Sequence, residues 1–171
     1  MKTILITGAT SGIGLAAAKK LANEKNQLIL CGRRQRKLDE ISEELSKSAN
    51  VLSLCFDVSN KNEVNRLLND LPEQFSSVDV LINNAGNAHG LDTIQDGSLD
   101  DWDNMIDSNV KGLLYVSRVI MPKMIERQSG HIINIGSLAG REVYEKGNIY
   151  CATKHAVNAI SKAMRIDLNK T

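Results

Sequence analysis

The sequence predicts an α/β fold: a parallel β-sheet with helices on both faces, in a single domain. Three observations carry the prediction. Five short apolar runs alternate with longer amphipathic stretches along the 171 residues. The runs are mostly apolar, with isolated polar residues rather than alternation of apolar and polar, as in strands buried on both faces. Glycines cluster where the first run gives way to the first helix, a turn at which such a sheet admits a phosphate.

Each element follows from its residues. Residues 3–6 form the first strand and 15–23 the first helix. A second strand covers 27–31, and a charged helix over 34–46 turns Leu38, Ile41 and Leu45 to one face. A third strand covers 51–56, and the helix over 61–71 turns Val64, Leu67, Leu68 and Leu71 inward. The fourth strand is 78–82. Ser98 then opens a long helix, with Asp101 completing a capping box. Trp102, Ile106, Val110, Leu113 and Val116 or Ser117 mark its buried stripe. The fifth strand is 131–135, and the last helix, 150–168, carries Val157, Ile160, Met164 and Leu168 at helical spacing. Only Pro72 and Pro122 interrupt the pattern, and there is no repeat, low-complexity tract or linker.

Bulk properties exclude several classes. Lys and Arg number 21 against 20 Asp and Glu, a net charge of +1, so neither nucleic acid nor an anionic membrane is expected as a partner. Cys31, Cys55 and Cys151 are an odd number without paired spacing, and His89, His131 and His155 have no ligand spacing. No disulfide framework and no metal site are expected, and the cysteines suit a reducing, cytoplasmic compartment. Cys151, although next to Tyr150, reads as a small buried hydrophobe rather than a nucleophile. The N-terminus runs directly into the first strand, leaving no room for a cleaved signal peptide, and no apolar stretch has the length of a membrane span.

The most informative feature is Tyr150-Cys-Ala-Thr-Lys154, preceded by Ser137. On a helix, Tyr150 and Lys154 lie one turn apart on one face. An ammonium near a phenol favours the phenolate and makes a proton donor and acceptor usable near neutral pH. The Ser137 hydroxyl is suited to hydrogen-bond a carbonyl or alcohol oxygen. These groups move a proton but carry no electrons. A place for an electron carrier is the glycine turn, where Gly8, Gly12 and Gly14 are spaced Gly-x-x-x-Gly-x-Gly rather than Gly-x-Gly-x-x-Gly. A helix N-terminus after such a turn offers free N–H groups to a pyrophosphate.

Taken together, Thr7-Gly8-x-x-x-Gly12-Ile13-Gly14, Asn83-Asn84-Ala85-Gly86, Asn109, Ser137 and Tyr150-x-x-x-Lys154 resemble the short-chain dehydrogenase/reductase family, over the whole chain and in the family's order. The resemblance implies a doubly wound, Rossmann-like sheet binding NAD or NADP. It implies that Gly8, Thr10, Ser11, Gly12, Ile13 and Gly14 hold the pyrophosphate. Asn84, Ala85 and Gly86 would wall the site, and Asp57 with Val58 would meet the adenine. It further implies that Tyr150 exchanges a proton with a small alcohol or carbonyl substrate while Ser137 orients the reacting oxygen. Lys154 would also hold the nicotinamide ribose, and Asn109 would hold a water of a proton relay. An alternative for Asn109 is a helix kink or a buried bond without catalytic part.

An acidic residue at the end of the second strand would bind a ribose 2′-hydroxyl, whereas this chain has Gly32-Arg33-Arg34. A guanidinium fits a phosphate, so the cofactor is read as NADP(H), with Arg33 as main reader and Arg34 as helper. The alternative is that both arginines simply start a solvated helix. Residues 132–142 and 147–154 resemble the NADP-dependent 3-hydroxy acid (serine-type) dehydrogenase subgroup, which implies substrates such as serine or 3-hydroxypropionate. Arg141 is either a carboxylate partner or a surface residue. Rival readings are reductases of ketones, sugars, pterins or acyl thioesters, and, from another class, a non-catalytic nucleotide-binding module. Family members continue beyond the Tyr150 helix, so the 1–171 domain is expected to be C-terminally incomplete, lacking the last two family strands. In relatives the Ser98 and Tyr150 helices pack against copies of themselves, which implies a homodimer or homotetramer.

Overall fold

The computed structural model describes residues 1–169, so the last two residues of the expected 1–171 domain lie outside the described residues. Strands and helices alternate as β1 (Lys2–Thr7), α1 (Gly12–Leu21), β2 (Asn26–Gly32), α2 (Gln35–Leu45), β3 (Asn50–Cys55), α3 (Lys61–Asn69) and β4 (Val80–Asn83). They continue as α4 (Leu99–Ile106), α5 (Leu113–Glu126), β5 (His131–Asn134) and α6 (Asn148–Leu168). All pairings are parallel, in the order β3-β2-β1-β4-β5.

The apolar character of the strands follows from burial on both faces. Successive residues of a strand point to opposite sides. Leu5 and Ile29 therefore join Leu81 in a core shared with Val64 and Leu68 of α3 and Val116 and Ile120 of α5. Ile4, Ile6, Leu28 and Leu30 join the opposite core, closed by Ala18 of α1 and Leu38, Ile41 and Leu45 of α2. The chain builds outward from β1 to β3, then crosses back to place β4 on the other side of β1. The connections leaving β1 and β4 therefore diverge, and a crevice opens at their carboxyl ends.

The long helix expected from Ser98 is interrupted. Ser98 does cap α4, its Oγ accepting from the Asp101 N–H at 3.3 Å. Asp107–Gly112, however, forms a π turn between α4 and α5. A π turn inserts an extra residue and rotates everything after it. The buried stripe follows the expected one after the turn, where Leu113, Val116 and Ser117 are buried, and departs from it before and within the turn: Ile106 is exposed, while Met105, Ser108, Asn109 and Gly112 face inward. Tertiary contact explains the turn. A Cβ on Gly112 would stand 2.6 Å from Val58 Cγ2, so the helix packs hard against the loop after β3. Pro122 lies within α5 without ending it, and α6 begins at Asn148, ahead of Tyr150. Among the described residues no helix is long and apolar enough to cross a membrane.

Candidate active site

The glycine turn fills the crevice between β1 and β4. Gly8 has φ +65°, and a Cβ there would meet Ala85 Cα and Asn84 Nδ2, both at 2.9 Å. A Cβ on Gly14 would overlap Asn84 Nδ2 and the Gly8 carbonyl, so glycine lets α1 approach the strand ends. Gly12 differs: at φ +52° its missing Cβ would meet nothing within 4 Å, so this part of the turn borders open space. The turn is held by Thr7. Its Oγ accepts the N–H groups of Asn84 and Ala85, both at 3.0 Å, and the Asn84 amide returns bonds to the Thr7 and Gly8 carbonyls at 2.9 and 3.1 Å. Gly14→Ala is expected to destabilise the fold by about 1–3 kcal/mol through overpacking, read as a lower urea midpoint. An unchanged midpoint would show that the turn relaxes around the methyl.

Ser11 precedes α1 without making a side-chain cap to it. Its hydroxyl instead accepts from Arg34 Nη2 at 2.9 Å, as the Thr10 hydroxyl does at 2.7 Å. The first N–H groups of α1 thus have no side-chain cap beside the open space at Gly12. Arg33 reaches in another direction, its Nη1 lying 3.3 Å from Asp57 Oδ2. Burial pushes the Asp57 carboxyl up, but bonds from the Ser59 N–H and hydroxyl and the Arg33 charge outweigh it, holding its pKa below the usual value. Arg34, expected as the helper, is therefore the arginine anchored to the glycine turn, and Arg33 the one paired across the far end.

These groups line one cleft of about 680 Å³. Gly8, Thr10, Ser11, Gly12, Ile13, Arg33, Arg34, Asp57, Val58, Asn84, Ala85, Gly86, Tyr150 and Lys154 all border it, but Gly14, Asn109 and Ser137 do not. The room at Gly12, the uncapped start of α1 and the two guanidinium groups fit a phosphorylated dinucleotide.

Lys154 is 8% exposed, yet makes no ion pair among the described residues. Its Nζ donates to the Ile135 carbonyl at 2.9 Å and lies 5.9 Å from the centroid of the Tyr150 ring. Burial lowers its pKa from the ordinary lysine value. Ser137 starts the short turn Leu138–Gly140, its Oγ accepting from the Ala139 N–H at 3.1 Å. That acceptance leaves the hydroxyl proton free to be donated elsewhere. The turn is fastened to α6 by Asn158 Nδ2, which donates to the Gly140 carbonyl at 2.7 Å. The Asn109 amide is bonded at both its oxygen and its nitrogen. Its Oδ1 accepts from the Asn87 N–H at 2.8 Å, and its Nδ2 donates to the Asn87 carbonyl at 2.8 Å and to Thr153 Oγ1 at 3.1 Å. Thr153 in turn donates to the Tyr150 carbonyl at 2.8 Å, so the π turn is pinned to the segment of α6 that carries Tyr150 and Lys154. Among the described residues no cluster of three or more His, Cys, Asp or Glu could hold a metal ion.

Residues 2–171 match the short chain dehydrogenase family. The chain belongs to that family. The NADP-dependent 3-hydroxy acid dehydrogenase YdfG of Salmonella typhi is 44% identical over 168 residues, 98% of this chain and 67% of the relative. Sulfoacetaldehyde reductase 2 of Chromohalobacter salexigens is 43% identical over 169 residues, again 98% and 67%. The closed form of serine dehydrogenase complexed with NADP+ is 42% identical, with a TM-score of 0.91 over 97% of this chain and 66% of that one. The chain thus spans about two thirds of the length of the relatives it matches.

As a short-chain dehydrogenase the chain has the doubly wound sheet expected of it, with five strands. Sequence reasoning missed the residues that position the others. Thr7 was legible as the first residue of the glycine motif but without a bracing role, Thr153 occupies an unspecified position of the Tyr150-x-x-x-Lys154 motif, and Asn87 and Asn158 lie outside the family motifs. Their common signal is a hydroxyl or amide beside a motif residue, which is too frequent in any sequence to single them out.

Proposed function

We propose that the protein is an NADP(H)-dependent oxidoreductase that interconverts an alcohol and a carbonyl, with Tyr150 as general acid and base. The observation that carries the reading is that Tyr150 and Lys154 line the same cleft as the glycine turn and both arginines. A bound nicotinamide would supply or accept the hydride. In reduction the Tyr150 hydroxyl gives its proton to the carbonyl oxygen; in oxidation it takes the alcohol proton. The Lys154 ammonium, which no carboxylate neutralises, stabilises the phenolate and keeps further N–H groups for the nicotinamide ribose. Ser137 donates to the substrate oxygen. Asn109 serves the water relay, and its side-chain amide positions α6. Arg33 and Arg34 read the 2′-phosphate, and Asp57 with Val58 meets the adenine.

The substrate class best supported is a short 3-hydroxy acid such as serine or 3-hydroxypropionate. The similarity to the 3-hydroxy acid dehydrogenase supports it. The nearly equal similarity to a sulfoacetaldehyde reductase favours a second reading, a short sulfonated aldehyde. An apolar groove of about 940 Å³ beside α5 and α6, lined by Leu114, Val119, Ile160 and Met164, supports association with a second copy as a homodimer or homotetramer. The free cysteines support a cytoplasmic setting.

Nicotinamide-fluorescence titration, followed by a substrate panel with NADP+, tests the reading. NADPH is expected to bind at least about tenfold tighter than NADH, one charge-assisted contact's worth, and 3-hydroxy acids to be oxidised. A folded protein binding neither nucleotide would overturn the cofactor assignment. Brisk reduction of a simple ketone with no turnover of 3-hydroxy acids would overturn the substrate class.

A further inference from the structure

A second cavity, of about 420 Å³, adjoins the cleft and shares Tyr150 with it. Leu91 and Met105 form part of its wall, and the basic residues that border it are His89 and Lys146. Lys146 has a φ of +63°, a left-handed conformation that a side chain with a Cβ rarely adopts. The Gly147 N–H donates to the Tyr144 carbonyl at 3.0 Å and closes a four-residue turn with Lys146 in third place. Glycine or asparagine is the ordinary choice for a left-handed residue there. The turn has little freedom to relax, because a Cβ on Gly147 would overlap the Tyr144 ring. A strained lysine at a cavity mouth points to function rather than packing. Asp92 and Asp101 share a small neighbouring crevice with Lys146, but neither forms an ion pair with it among the described residues. The N-terminus of α6, which starts two residues later at Asn148, adds partial positive charge.

We propose that Lys146 is a specificity-determining residue: its ammonium pairs with the carboxylate or sulfonate of a short substrate whose reacting carbon lies against Tyr150. The inference rests on the alcohol–carbonyl reading above. It differs from the expectation for Arg141, which borders neither the cleft nor this cavity.

Steady-state oxidation with NADP+ tests it, using 3-hydroxypropionate, its methyl ester and isethionate (2-hydroxyethanesulfonate) on the unaltered protein, Lys146→Gln and Lys146→Gly. The glycine variant suits the left-handed backbone, so loss of the fold is not expected to obscure the result. Both variants are expected to raise the KM for the anion about tenfold, as for one charge-assisted contact, with kcat and the ester's KM within about twofold. The KM of the unaltered protein for the anion should rise with salt, and that of the variants should not. Preference for isethionate over 3-hydroxypropionate would name the sulfonate as the natural anion. An unchanged KM for the anion, or equal losses for acid and ester, would overturn the role of Lys146 while leaving the function reading intact. An unaltered protein that prefers the ester would overturn the role of Lys146 and the anionic substrate class while leaving the alcohol–carbonyl reading intact, and one that oxidises none of the three alcohols would overturn both.

Discussion

Tyr150→Phe is expected to lower kcat by about a thousandfold, the range of a lost general acid–base group, while NADPH affinity stays within about twofold of the unaltered value. The reasoning is geometric. Phenylalanine keeps the ring that Lys154 Nζ faces at 5.9 Å, and the bonds that seat this part of α6 run from Thr153 and Lys154, not from the phenol. The substitution therefore removes one oxygen and its proton without disturbing the cleft. Parallel measurement of turnover and nucleotide fluorescence separates the two effects. Residual activity within tenfold of the unaltered protein would mean that another group delivers the proton.

Arg33→Asp is expected to weaken NADPH binding by about 10- to 100-fold, the worth of one or two charge-assisted bonds, and to leave NADH binding unchanged or improved. Little stability should be lost. The Arg33–Asp57 pair is loose at 3.3 Å, and Arg33 is largely exposed, the kind of ion pair that contributes little. Arg34→Gln gives the complementary answer, because Arg34 alone is bonded to Thr10 and Ser11 of the glycine turn. A selectivity ratio that moves with Arg34 and not with Arg33 would reverse their assigned order. A ratio that moves with neither would end the arginine reading.

Much of this arrangement was legible because it rests on repeating physical signals. The strand over 131–135 was expected where β5 (His131–Asn134) lies, because a short run dominated by isoleucine has few other homes in such a fold. The fourth strand was expected at 78–82 and runs over Val80–Asn83; a run of apolar residues marks a strand better than it marks its ends. Gly8, Gly12, Tyr150 and Lys154, distant in sequence, border one cleft because each follows a strand at the same sheet edge or lies on a helix facing it. The π turn was legible only as the alternative of a helix kink or buried bond at Asn109. It arises from the docking of Gly112 on Val58 and of Asn109 on Asn87, contacts that no local pattern encodes. The left-handed Lys146 was not legible, since the residue type argues against the conformation it holds.

The bonding of Thr7 to Asn84 has a consequence for how the site is acquired. The pairing of β1 with β2 joins residues such as Thr3 and Gln27, close neighbours in the chain, whereas Thr7 and Asn84 are 77 residues apart. A chain with only β1, β2 and β3 assembled has its glycine turn but nothing to brace it. Loop closure over that distance comes late, because its entropy must be overcome before the contact rewards it. Nucleotide affinity therefore reports arrival at the complete topology, and a bound nucleotide adds its stabilisation at that final closure alone.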